Sequence, residues 1–262
     1  MGPPPAPEAG QFCRVVREIA RGGLAGLITG TLMGGIGGRV AMRISSLIDM
    51  QERALRTENG ALVGELTLEG TLGLVVFVGI FTGIGMAVIW VVVQRWLPST
   101  GVARYAAAGV VGVAMGGRFA IDGRNFDFRI LDPAVGQATI FIVLAGITGA
   151  VVVRVDRWLE RRLPRPTGMP LLGYSAVSLL GIVIAVPFIT LYFNREDCAC
   201  VSPPRLVGSL LIVVGLLTLF SWLREVRGSG SPGWMSNIAQ IAVVSMTLAG
   251  LLHLGGEIAH FV

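Results

Sequence analysis

GGLAGLITGTLMGGIGGRVAMR, residues 22–43, sets a glycine at every fourth position, Gly22, Gly26, Gly30, Gly34 and Gly38, and ends in Arg39 and Arg43. In water this would be a poor helix, because each interior glycine costs about 1 kcal/mol relative to alanine. Inside a bilayer the backbone must satisfy its own hydrogen bonds, and a helix does so. A ridge of glycines then lets a second helix approach closely, which supplies packing where lipid gives no hydrophobic drive. The stretch therefore reads as a membrane-spanning helix, with Gly22 to Gly38 as its packing surface.

The rest of the chain agrees. Of 262 residues, 53% are hydrophobic and only 14% charged, and the mean hydropathy is +0.73, beyond the usual share for a soluble domain. Seven apolar segments follow one another, at 24–47, 71–93, 102–120, 135–153, 171–193, 206–223 and 238–260. Each is near the roughly 20 residues needed to cross about 30 Å of hydrocarbon. The third is the weakest, being rich in alanine and glycine with Arg104 near its start; without it six spans would remain. The expected fold is an all-α polytopic bundle of about seven spans. The proline-rich opening MGPPPAPEAG reads as disordered, so residues 1–20 form a basic N-terminal segment, 21–160 a first membrane region and 161–262 a three-helix membrane region. The opening lacks the basic n-region and short apolar core of a cleaved leader. The segment 45–70 between the first two spans is long enough for a small structure of its own, with ALVGELTLEG as a possible strand pair.

All 21 basic residues are arginine, which leaves no lysine for Schiff-base work. Twelve lie on one side of the expected membrane, at Arg14, Arg17, Arg21, Arg95, Arg104, Arg154, Arg157, Arg161, Arg162, Arg165, Arg224 and Arg227. The other nine are accompanied by many more carboxylates. The positive-inside rule puts the twelve-arginine side, and the N-terminus, in the cytoplasm. The net charge of +5 thus orients a membrane protein, and no basic-aromatic patch points to nucleic acid.

Two parts of the chain resemble each other. GGRVAMR at 37–43 pairs with GGRFAID at 116–122, Gly30 with Gly109, and QRWLP at 94–98 with DRWLE at 156–160. The pattern implies a parallel duplication of the first two hairpins, a plan found in some transporters.

The motifs GGRVAMRI, GTLGLVVF and AIDGRNFDFRILDP also carry an outside resemblance. The chain is similar to a group of polytopic membrane proteins of actinobacteria and related phyla with a GRxxMR … GT … DGxDFxxLxP pattern. The matching positions are Gly38, Arg39, Met42 and Arg43; Gly70 and Thr71; and Asp122, Gly123, Asp127, Phe128, Leu131 and Pro133. One residue is inserted in DGRNFDF. The resemblance covers about residues 20–160 and implies a multi-pass protein of a bacterial cytoplasmic membrane; it implies no activity.

Two constellations could carry chemistry. The outward rim gathers Arg39, Arg43, Arg118, Asp122, Arg124, Asp127, Arg129 and Asp132, a set suited to an anion, a headgroup or an acidic partner because arginine offers a planar fork of donors. The ordinary reading is that such arginines snorkel and pair at helix ends. In the last span, HLGGEIAH puts His253, Glu257 and His260 near one helical face, a spacing that suits zinc, iron or a haem ligand. The ordinary reading is a hydrogen-bonded cluster at the interface, and no cofactor is assigned. Cys198 and Cys200 form a C-x-C pair that could bond to another chain or bind a soft metal but falls far short of a CxxC…CxxC set, and with Cys13 they read as incidental or inter-chain thiols. P-loop, dinucleotide, HExxH and GxSxG motifs are missing, and Ser175, Ser178, Ser221 and Ser245 are scattered without a histidine nearby in sequence. The leading expectation is a non-catalytic membrane component, an accessory or assembly subunit held in lipid with its own copies or a membrane partner. A carrier for a small solute or ion is the alternative, and a metal- or haem-dependent membrane enzyme the third.

Overall fold

The computed structural model describes residues 7–48, 72–99, 101–120, 134–193 and 205–259, and their regular structure is entirely helical. Seven helical rods follow in order. α1 runs through Pro7–Thr31, a π-helical segment Leu32–Gly37 and Gly38–Ile48. α2 is Leu74–Val93, of which Leu74–Gly79 is π-helical. α3 is Gly101–Ala120, α4 Ala134–Arg162, α5 Met169–Phe193, α6 Arg205–Val226 and α7 Gly233–Ala259. Five of them, α1, α2, α4, α6 and α7, are long and apolar enough to cross a membrane. In α5 the described apolar run is Met169–Ile184, and alanine, glycine and Arg104 dilute α3.

The breaks between rods follow from local chemistry. α6 ends in a Schellman turn at Gly228, whose φ of 76° favours a residue without Cβ. There Ser229 N–H bonds the Arg224 carbonyl at 2.9 Å and Gly228 N–H bonds the Glu225 carbonyl at 3.0 Å. Pro232 then precedes α7. Pro98 follows the frayed end of α2, and Pro164 follows α4, each unable to donate to a continuing helix.

α1 starts at Pro7, well before the apolar stretch that begins near Leu24, so residues 7–20 are helical where the sequence suggested disorder. Proline suits the first turn of a helix, where its missing N–H has no partner in any case. Packing holds the extension in place: Val16 and Ala20 are buried against Tyr174 of α5, and the Ser178 hydroxyl of α5 donates to the Val16 carbonyl at 3.4 Å.

α1 and α2 lie against each other with almost no side-chain layer between them. A methyl group placed on Gly26 would sit within 3.0 Å of the Ala87 backbone, and one on Gly30 would lie 2.5 Å from the Gly83 Cα. Gly22 faces the Gln94 amide, Gly34 the Thr82 hydroxyl, and Gly38 the Leu74 side chain at 3.5 Å. Thr82 Oγ1 reaches the Gly30 carbonyl across the interface at 2.9 Å. α3 and α4 meet in a similar way, with a methyl on Gly112 coming 2.5 Å from the Ala145 carbonyl and one on Gly109 3.2 Å from that of Gly146. α7 closes on α3, where a Gly250 methyl would stand 2.6 Å from the Ala114 carbonyl.

The main core joins residues of α1, α2, α3, α4, α6 and α7, with Ala25, Trp90, Met115, Val152, Val214, Met235 and Met246 among its members. Packing therefore places no boundary between 21–160 and 161–262. Around this core the outward faces carry large exposed apolar side chains, such as Ile36, Phe77, Leu179, Leu216, Ile241 and Leu252. That surface suits hydrocarbon, which tolerates no unsatisfied backbone but welcomes such side chains.

Candidate functional site

The bundle has two ends of different character. The near end is where α1, α3, α5 and α7 begin and α2, α4 and α6 finish. The far end holds the C-terminal part of α7.

The far end carries Arg39 and Arg43 of the first constellation singled out in the sequence and His253 and Glu257 of the second. Arg39 is half-buried and Arg43 exposed, one turn apart on the Gly38–Ile48 part of α1. Beside them Ser45 is buried, and Gln137 at the start of α4 donates its Nε2 to the Ser45 carbonyl at 3.2 Å. Ala138 packs with Leu254 of α7, and Leu254 in turn covers Gly117 of α3, 2.9 Å from where a Cβ would be. This chain of contacts sets the His253–Glu257 helix end beside the end of α3. His253 Nε2 stands 3.9 Å from Glu257 Oε1. The structure thus brings to one end two groups that the sequence separates by over a hundred residues. The Arg118 side chain, the loop residues Asp122, Arg124, Asp127, Arg129 and Asp132, and His260 lie outside the described side chains. Among the described residues no three His, Cys, Asp or Glu side chains gather as metal ligands would; His253 and Glu257 supply two.

The near end holds what sequence spacing did not reveal, a lattice of ion pairs around one buried pair. Asp156 of α4 is 2% exposed, with its Oδ1 3.0 Å from Arg21 Nε of α1. Arg21 also reaches Glu160 at 3.1 Å. Arg17, one turn earlier, donates its Nη2 to the Glu160 and Leu163 carbonyls, both at 2.9 Å. This closes the C-terminus of α4, where free carbonyls attract a cation. Arg95 at the end of α2 pairs with Glu225 of α6, which Arg14 approaches at 3.8 Å. Trp96 Nε1 donates to Thr218 Oγ1 at 2.7 Å, and that hydroxyl sits within 3.0 Å of the Val92 carbonyl and 2.8 Å of the Val214 carbonyl. Arg104 of α3 lies over the Trp90 ring at 5.6 Å, and Arg157 over Tyr105 at 5.1 Å. α1, α2, α4 and α6 are tied together here by charge, and α3 by its arginine.

Gln94 is also buried there, against Gly22, and neither amide atom has a hydrogen-bond partner among the described residues. Gln94 and Asp156 open the two matched motifs QRWLP and DRWLE, and both point inward. The third position differs, since Trp96 is buried and Trp158 is 46% exposed. Four of the five carboxylates at this end, Glu18, Asp156, Glu160 and Glu225, were the available signal: an acid amid so many arginines is the one to suspect of pairing. Two of the four serines singled out have structural partners: Ser178 bonds α1, and Ser221 shares a hydrogen bond of 2.6 Å with Ser231.

The chain matches no known family model, no curated protein and no solved structure.

Proposed function

We propose that this chain is a seven-span membrane protein with its N-terminus in the cytoplasm, acting as a non-catalytic component on which other chains or copies assemble. The observation that carries this reading is the near-end lattice. Ion pairs from α1 to α4 and from α2 to α6, together with glycine contacts along α1–α2 and α3–α4, make a frame whose helices are held in fixed register. α5 leans on this frame through Val16, Ala20 and Tyr174 and leaves Leu172, Leu179, Leu180 and Val183 uncovered.

Charge supports the orientation. The near end and its connecting segments hold twelve arginines and five carboxylates, a net of +7; the far side holds nine arginines and eleven carboxylates, a net of −2. The difference follows the positive-inside rule. The duplication belongs to the same proposal. Gly30 and Gly109, matched in the two copies, each make the close contact that joins their hairpin, and Gln94 and Asp156 are both buried. The resemblance to the actinobacterial group is kept as part of it, resting on Arg39, Met42 and Arg43, with the DGxDFxxLxP segment outside the described residues.

A carrier is the second reading, favoured by one observation. The π-helical segments of α1 and α2 face each other, with Gly35 against Val75 and Gly79 against the Thr31 carbonyl, each at 2.9 Å for an added methyl. Such segments interrupt regular helices and are frequent at functional sites.

Native mass spectrometry of gently purified protein, with metal analysis of the same sample, tests the proposal. A partner chain or a defined self-assembly is the expected result. A monomer that moves solute in proteoliposomes would replace it with the carrier reading. Stoichiometric metal or haem lost in His253→Ala would replace it with the enzyme reading.

A further inference from the structure

We infer that the last two turns of α4 form a binding surface for the phosphate headgroups of anionic phospholipid in the inner leaflet. α4 has 29 residues, so at about 1.5 Å per residue it exceeds the roughly 30 Å of hydrocarbon by about two and a half turns. The excess is at its C-terminal end. Arg154, Trp158, Arg161 and Arg162 are all exposed there. Their spacings of four, seven and eight residues place them on one face. The opposite face is spoken for: Asp156 and Leu159 are buried, and Asp156 is held by Arg21.

Three features make the surface a phosphate site rather than a general solvated face. The carboxylates that would neutralise it are engaged elsewhere, since Asp156 is buried and Glu160 is drawn to Arg21 at 3.1 Å. Trp158 holds the depth, because an exposed indole sits at the headgroup level, and Arg162 lies over its ring at 5.9 Å. Arg161 donates its Nε to the Arg157 carbonyl at 3.3 Å, which leaves its terminal nitrogens for an acceptor beyond the helix. A guanidinium presents paired donors that match phosphate oxygens. Arg17, by taking up the α4 terminal carbonyls, keeps the last turn helical and the four side chains in line.

This inference rests on the proposed membrane placement, and the test separates the two. Full-length protein is exchanged into mixed micelles with equal phosphatidylglycerol and phosphatidylcholine, and retained lipid is identified by native mass spectrometry. In micelles both ends of the bundle are accessible, so lipid choice is read whatever the orientation; labelling of Cys13 in sealed vesicles reads orientation by itself. Wild-type protein is expected to retain phosphatidylglycerol preferentially. Each arginine near a charged membrane surface adds about fivefold, so the triple variant R154Q/R161Q/R162Q should lose about a hundredfold of that preference. The lysine triple variant should keep most of it, as a charged but unforked side chain would. Raising salt on the wild-type protein should weaken the preference without any substitution, since exposed charges are screened. Equal retention of both lipids by the wild type, or an unchanged preference in the glutamine triple variant, would overturn the inference. So would a preference indifferent to salt.

Discussion

Replacing Gly30 with alanine asks whether backbone contact holds α1 to α2. The added methyl would stand 2.5 Å from Gly83 Cα and 2.7 Å from both Gly83 N and the Thr82 carbonyl. All three are main-chain atoms and cannot turn aside. Ordinary contact begins at 3.4 Å, so the helices must part by about 0.9 Å, a gap that forfeits a quarter to a half of each lost dispersion contact. Overpacking of this kind costs about 1–3 kcal/mol. Exchanging glycine for alanine also returns up to about 1 kcal/mol of helix propensity, which leaves a net destabilisation of about 0–2 kcal/mol. Gly23 supplies the control. It lies in the same helix, yet nothing comes within 4 Å of its added methyl, so Gly23→Ala should be neutral or slightly stabilising. The comparison cancels the propensity gain and isolates packing. Reversible unfolding in mixed micelles by titration with denaturing detergent, followed by circular dichroism, measures both. If Gly30→Ala proves as stable as Gly23→Ala, the close α1–α2 contact is not a source of stability and the reasoning fails.

Other outcomes are equally open to measurement. Asp156→Ala leaves Arg21 without its buried partner, and should destabilise the bundle by about 3 kcal/mol; the reversed pair R21D/D156R should recover part of this in the same unfolding assay. Trp96→Phe keeps most of the ring but removes the donor to Thr218, at a cost of about 1 kcal/mol, and Thr218→Val in the same background should add about as much again, because that hydroxyl also donates to the Val92 and Val214 carbonyls. A membrane-impermeant maleimide applied to intact cells should label Cys198 and Cys200 and spare Cys13; labelling of Cys13 alone would invert the proposed topology. Loaded with zinc and then dialysed, the protein should melt at the same temperature as an untreated sample, whereas a rise of several degrees that His253→Ala abolishes would establish a metal site at the far end.

How much of this could be read in the residues depends on range. Apolar runs of membrane length report on the solvent around them, so the seven rods were visible as seven segments, and the glycine positions of α1 as a ridge. What the ridge meets was not visible: no spacing rule says that Gly30 faces Gly83 rather than a helix of another chain. The near-end lattice was hidden for the same reason. Arg21 and Asp156 are far apart in sequence, and each alone looks like an interfacial charge; only the fold makes them a pair. Arg39 and Arg43 looked independent of His253 and Glu257 because the chain separates them, while the packing of Ala138 with Leu254 brings their helix ends to one side of the bundle. The helical extension over residues 7–20 was not legible because hydropathy measures contact with lipid, and those residues are held by Tyr174 and by α4. The π-helical segments left no local sign beyond the glycines, since their wider turns answer to the opposing helix.

Those wider turns decide where α1 points. In a regular α-helix a step of four residues overshoots the full turn by about 40°. Four such steps would carry Gly38 about 160° round the axis from Gly22, almost to the opposite side. Yet Gly38 still looks toward Leu74 of the helix that Gly22 touches at Gln94. The segment Leu32–Gly37 absorbs the difference by winding more slowly, so it acts as a phase corrector between two halves of one rod. The azimuth of Arg39 and Arg43 is therefore set by the number of residues upstream, independently of their identity. Deleting a single residue between 32 and 37 would let the rod wind regularly, and the roughly 100° lost with that residue would offset the winding regained, so both arginines would keep their azimuth. A one-residue change of length in the regularly wound turns of α1, by contrast, would turn Arg39 and Arg43 by about 100° toward a different neighbour, with both arginines retained.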